Sequence, residues 1–285
     1  MPNWHKTRWW FTRLRLSGVA VVALLAAACA APPAAFNAAD PGFNVSQRVS
    51  ALLPADILLL GEQHDAPDHQ QLERETVQAL ADRGQLTALA LEMADQGTST
   101  TGLTPDASED IVRTALVWND AGWPWAAYGP VVMAAVRAGV PVLGANLPRA
   151  RMRDAMANDA LDTHLPTAQL QTQRTRIREG HCDLLPESQI APMTRIQIAR
   201  DAAMAQTVMA ARQPGKTVLL VAGGGHVGRA LGVPTHLPQN ITSKVALALV
   251  GYAQVATNSG ADAVWQTAAL PLRDYCADMK KQRGR

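Results

Sequence analysis

Four apolar runs constrain this chain more than anything else in it: "ILLLG" from Ile57, "LTALALEM" from Leu86, "VPVLGAN" from Val140 and "KTVLLVAGGG" from Lys216. Each is short, dominated by aliphatic side chains, and lacks the strict alternation of a half-exposed strand. That is the pattern of strands buried on both faces of a parallel sheet. The stretches between them have helical spacing. In "APDHQQLERETVQALADRG", Leu72, Val77 and Leu80 share a face, Pro67 suits the first turn and Gly84 can end the helix. Further helices are expected in "SEDIVRTALVW", "WPWAAYGPVVMAAVRAG", "LPRARMRDAMANDAL" and "TAQLQTQRTRIREG", and one long helix starting after Pro192. "KVALALVGY" and "DAVWQTAAL" read as later strands near one sheet edge. The expected fold class is α/β: a mainly parallel sheet flanked by helices, in a single domain with a helical insertion.

In open sheets of this kind, ligands bind outside the carboxyl ends of the strands. The first run ends in Glu62, Gln63 and His64, the second in Glu92, the third in Asn146, and the fourth in Gly223-Gly224-Gly225-His226. Parallel neighbours would bring these ends to one cleft. Singly, each has a bland reading, as a helix cap or a satisfied structural histidine. Together, Glu62, His64, Glu92 and His226 suit a divalent transition metal held by imidazole and carboxylate. They suit general acid–base catalysis equally well, and their spacing does not choose. "GGGHVG" matches a dinucleotide fingerprint formally, but the acid due about 20 residues later is missing. The glycines are better read as allowing close backbone approach.

"WNDAGWPWAAYGP" places Trp118, Trp123, Trp125 and Tyr128 close together. They form a packed aromatic patch or a wall for a flat ligand, and Tyr128 carries a hydroxyl able to ligate ferric iron. On the long helix, Arg200 and Asp201 are either a solvated pair or a reach toward the cleft.

The chain opens with Lys6, Arg8, Arg13, Arg15 and no acid, followed by "VAVVALLAAAC". A basic segment, a short apolar segment and small residues make an export signal. Cys29 stands where a bacterial lipoprotein is acylated, although Ala26-Ala27-Ala28 would also serve ordinary cleavage. The expected organisation is a signal over residues 1–28, a flexible tether over 29–44 and the folded domain over 45–285. Four of the 26 basic side chains and none of the 24 acidic ones fall in the signal, so the remainder is slightly acidic. That argues against nucleic acid as a partner. Of the two other cysteines, Cys182 and Cys276, an exported chain more often makes a disulfide than a metal pair.

The segments "LLLGEQHDAPDH", "ALEM", "WPWAAYGPVVMAAVRAGVPVLGANLPR", "HCDLLPE", "RDAAMA" and "VLLVAGGGHV" occur in an order that resembles the ChaN family of haem-binding lipoproteins. That family belongs to a wider superfamily with the Tiki and TraB proteins and erythromycin esterases. The resemblance implies a palmitoylated lipoprotein anchored in the outer membrane, haem bound at a homodimer interface, and delivery to outer-membrane haem-uptake machinery for iron acquisition. The superfamily's enzymes match this chain at Gly61, Glu62, His64, Glu92 and His226. Two functions follow as expectations. One is a haem-binding lipoprotein of the cell envelope, with Glu62, His64, Tyr128 and His226 as cofactor-binding candidates. The other is a hydrolase, metal-assisted or driven by the Glu and His side chains, with Glu62, His64, Glu92 and His226 as its catalytic or metal-ligating residues.

Overall fold

The computed structural model describes residues 44–251 and 260–283. The expected export signal, Cys29 and nearly all of the expected tether lie outside the described residues. Six strands form one sheet: β1 (Ile57–Glu62), β2 (Leu86–Asp95), β3 (Val142–Asn146), β4 (Thr217–Gly223), β5 (Ser243–Val250) and β6 (Ala263–Thr267). Their order is β3-β2-β4-β1-β5-β6, and every pairing is parallel. β5 and β6 lie together at one edge, as expected.

Alternation along the strands supplies both faces of the sheet. Leu58, Leu60, Leu89, Leu91, Leu219 and Val221 point into one apolar layer. It is closed by α1 (Val45–Ser50), α2 (Pro67–Ala81), α3 (Glu109–Ala115) and α4 (Trp125–Arg137). Ile57, Leu59, Ala88, Ala90, Val218 and Leu220 point the other way. There they meet Met204, Ala205 and Val208 of α7 (Glu187–Ala210). A sheet covered on both sides explains why the strands read as unbroken apolar runs.

α5 (Met152–Ala157), α6 (Thr167–Gly180) and α7 make up the helical insertion between β3 and β4, and α8 (Tyr275–Arg283) closes the chain. The long helix starts earlier than expected, at Glu187, with Pro192 inside it. Pro192 lies past the first turn, where a proline forgoes one backbone hydrogen bond and crowds the carbonyl four residues back, and α7 runs through it from its N-cap, Pro186.

The arrangement creates a crevice at the strand ends. After β1 the chain leaves toward the α2 layer, and after β4 it leaves through Val227 and Val233 into the opposite layer. β1 and β4 are neighbours with Glu62 opposite Gly223. Diverging connections at adjacent strands leave open space between them, where ligands bind in such folds.

Candidate functional site

The pleat decides which way each acid leans. Glu62 follows Leu58 and Leu60 by the two-residue period, so it faces the layer of α2 and α4. Glu92 follows Ala88 and Ala90 and faces the layer of α7. His64, in the turn beyond β1, sits between them: Nδ1 lies 2.6 Å from Oε1 of Glu62, and Nε2 lies 3.8 Å from Oε2 of Glu92. Two glycines make this possible. A Cβ at Gly61 would come 2.4 Å from Val227, and one at Gly223 would come 2.8 Å from Nε2 of His64.

Glu62 is fully engaged. Oε1 also accepts from the Tyr128 hydroxyl at 2.8 Å, and Oε2 accepts from the Gln70 amide at 3.1 Å. Beside it on α2, Glu73 is completely buried, and neither of its oxygens has a partner. Burial, then the charge of Glu62, pushes the Glu73 carboxyl well above its ordinary range and favours its protonated form.

On the other side, His226 bridges two acids. Nε2 lies 3.3 Å from Glu92, and Nδ1 lies 2.6 Å from Asp201 of α7. Glu92 also accepts the Gly223 amide N–H at 2.7 Å. Burial opposes charge on His226, but Glu92 and Asp201 outweigh it and raise its pKa to about 10. Burial likewise raises Glu92, yet His226, His64 and the Gly223 amide bring it down to about 2. Asp201 stays up at about 6, because burial exceeds the pull of His226. His226 is thus a buried imidazolium. His64 differs: burial lowers its pKa, and its bond to Glu62 with the nearby Glu92 charge raises it by more. The edge of the Trp123 ring packs on it at 4.8 Å.

Glu62, His64, Gln197, Gly223 and His226 line an open cleft of about 790 Å³, bounded also by Leu247, Ala248 and Leu249 of β5 and by Arg273 and Tyr275, while Glu92 and Asp201 lie buried beneath it. The four acids and histidines expected together do meet here. Three expectations need correction. Tyr128 is 1% exposed and spends its hydroxyl on Glu62, so it offers no face to an iron. Asn146 does not line the cleft, because β3 stands at the far sheet edge, separated from β1 by two strands. Among the described residues, no group of three or more His, Cys, Asp or Glu side chains is placed to hold a metal ion. The reason is pairing: both His226 nitrogens and the Nδ1 of His64 already face carboxylates.

Asp201 is not a solvated residue but lies buried against His226 beneath the cleft, and Gln70 and Glu73 carried no expectation. Glu73 had a signal: it lies on the apolar stripe of α2, three residues before Thr76 and four before Val77, where a charge is out of place. Cys182 and Cys276 form a disulfide with Cα atoms 5.5 Å apart.

The fold and site define a class: a parallel α/β protein whose strand-end cleft is built from paired carboxylates and imidazoles. The sequence model of the family described as "Haem-binding uptake, Tiki superfamily, ChaN" matches residues 48–237, and the chain belongs to that family. The structure solved for cofacial haem binding to ChaN of Campylobacter jejuni is similar, with a TM-score of 0.60 and 24% identity, covering 75% of this chain and 88% of that one. The type III effector HopBA1 matches with a TM-score of 0.47 and 16% identity, over 81% of this chain and 95% of that one. No curated protein sequence matches.

Proposed function

We propose that this protein binds haem in the strand-end cleft and serves haem or iron acquisition as a lipid-anchored protein of the bacterial envelope. The family supports the ligand, and the cleft supports the place. Its volume of about 790 Å³ lies in the range of roughly 300–1,000 Å³ typical of small-molecule sites. One apolar wall, Leu247 to Leu249, can face a porphyrin, and Arg273, which is paired through Nε with Asp278 at 3.0 Å, is the cleft's cation for its propionates. One side chain offers a ligating atom, Nε2 of His64, whose nearest carboxylate is 3.8 Å away; the half-exposed phenol of Tyr275 would give up its hydrogen bond to Asp65 to become a second. Bound haem would supply the iron and the redox chemistry, and these residues would hold and orient it. The cleft is open, whereas such sites enclose most of a ligand. A second copy of the chain covering the exposed face would complete it, in keeping with the cofacial haems named for the Campylobacter jejuni protein.

The observation that carries this reading is the convergence of His64, Tyr275 and Arg273 on one partly apolar cleft. Titration of the chain with haemin tests it: a saturable Soret shift, with the dimer fraction rising in step by sedimentation, is the expected result. An unchanged haemin spectrum would refute it.

One observation favours a second reading. Glu62 fixes the Nδ1 side of His64 and leaves Nε2 toward the cleft, which is how a general base is oriented. In that reading His64 takes a proton from water as the water attacks an ester or amide, and Glu62 stabilises the resulting imidazolium. Hydrolysis of an ester library that disappears in His64→Gln would support it, and hydrolysis that survives that change would end it.

A further inference from the structure

The described residues after β6 do something that the family match, which ends at residue 237, does not cover. Residues 268–274 have no regular structure, and α8 follows. None of the side chains described from 268 to 281 is buried, and Leu272 is fully exposed. This arm therefore gains little from hydrophobic burial. It nevertheless supplies two side chains to the cleft, Arg273 and Tyr275. Its ties to the rest of the domain include the Ala268 amide on Asp68 at 3.3 Å and the Tyr275 hydroxyl on Asp65 at 2.5 Å. Among the described residues, its one covalent tie beyond the chain itself is the disulfide from Cys276 to Cys182, 94 residues away. Cys182 lies in the turn leading into α7, the helix that brings Gln197 to the cleft and Asp201 beneath it.

We propose that this disulfide is a clasp: it holds the Arg273–Tyr275 segment as one wall of the cleft, and its reduction frees that wall and loosens bound porphyrin. The ligand part rests on the haem reading above; the clasp itself does not. Arg273 already stacks over the Tyr275 ring, 5.1 Å from its centre, so the cation and the phenol are presented as a unit. Both cysteines are half-buried, within reach of a small reductant. The step is thiol–disulfide exchange with a dithiol. One thiolate of the dithiol attacks a sulfur of the Cys182–Cys276 bond, and the displaced thiolate takes up a proton. The second thiol of the dithiol then closes its own ring. The reductant leaves as a disulfide, and the two electrons and two protons stay on Cys182 and Cys276 as thiols.

The test uses the full chain in two states: oxidised, and reduced with dithiothreitol, thiol-capped and freed of reductant. Hydrogen exchange is measured first, without ligand, then haemin is titrated into both states and into Arg273→Gln with its disulfide intact. On reduction, exchange across 275–283 should rise at least about tenfold, while the amides of β1, β2 and β4 hold their protection. Haemin affinity should fall about tenfold or more in the reduced chain and in Arg273→Gln, the loss of one charge-assisted contact. Cys276→Ser should reproduce the reduced state without chemical treatment. Unchanged exchange on reduction overturns the clasp, and equal affinity in all forms overturns the role of the arm in binding. A chain that binds no haemin even when oxidised overturns the haem reading, and the ligand-free exchange then decides the clasp by itself.

Discussion

His64 and His226 stand in one cleft, each 2.6 Å from a carboxylate and each near Glu92, and they differ in burial and in how closely a second acid approaches. The His226 side chain is 8% exposed and lies between two acids, Glu92 and Asp201. The His64 side chain is 39% exposed and has one close acid, Glu62, which is itself shared with Tyr128 and Gln70. In His226, two partners in a dry site outweigh the penalty of burying a charge, and the result is a fixed imidazolium. In His64, a single shared partner near water leaves the ring able to change state. In the proposed function the Glu92–His226–Asp201 group serves as scaffold, and His64 is the side chain that meets the ligand.

The largest effect expected from this difference is on stability. Replacing His226 by Gln strands two buried carboxylates and should cost about 3–5 kcal/mol in urea unfolding. The same change at His64 should cost under about 1 kcal/mol, because its pair is partly exposed. Equal costs would break the comparison.

The pH dependence of that difference follows from the signs. His226 has a folded pKa of about 10 against 6.5 for a free imidazole, so its contribution is complete below 6.5 and is lost as pH rises through 10. Glu92, at about 2 against 4.5, contributes fully above 4.5 and loses it as pH falls through 2. The stability gap between wild type and His226→Gln should therefore be widest from about pH 4.5 to 6.5 and close toward both extremes. A gap flat from pH 3 to 10 would contradict the assignment.

Glu73 sharpens the His64 side. Its raised pKa means that the folded state holds a proton which the unfolded chain releases above 4.5. Wild type should thus lose up to about 1.4 kcal/mol per pH unit above 4.5 relative to Glu73→Gln, until the folded pKa is reached. Parallel urea midpoints for the two proteins between pH 5 and 8 would show instead that Glu73 is ionised. The smallest effect is at Tyr128. Without its hydroxyl, Glu62 has one donor fewer and binds the His64 proton more firmly, so Tyr128→Phe should raise the His64 pKa by less than about one unit. Proton NMR of the imidazole would read it, and a fall would be the wrong sign.

Much of this was legible in the residues. Unbroken apolar runs alternating with helical spacing gave the parallel sheet, and acids and histidines at successive run ends gave Glu62, His64, Glu92 and His226 as a cluster. Strand order was not legible, because local patterns carry no information on which strands are neighbours. That is why Asn146 was expected in the cleft, while β3 stands at the far edge. Direction was not legible for Tyr128 either. A tyrosine in an aromatic patch reads as a ligand wall, but on α4 its hydroxyl points under the cleft to Glu62. The place of Arg273 and Tyr275 was not legible either: pairing Cys182 with Cys276, 94 residues apart, does not say which cleft the arm beside Cys276 borders.

The most direct test of the account is side-chain NMR of labelled histidine across about pH 5 to 9, repeated with gallium protoporphyrin as a diamagnetic haem analogue. The account predicts that His226 keeps both ring protons throughout and ignores the porphyrin. It predicts that His64 titrates above a free imidazole and that its resonances move when the porphyrin is added. A His226 that loses its proton near 6.5, or a His64 untouched by bound porphyrin, would contradict it.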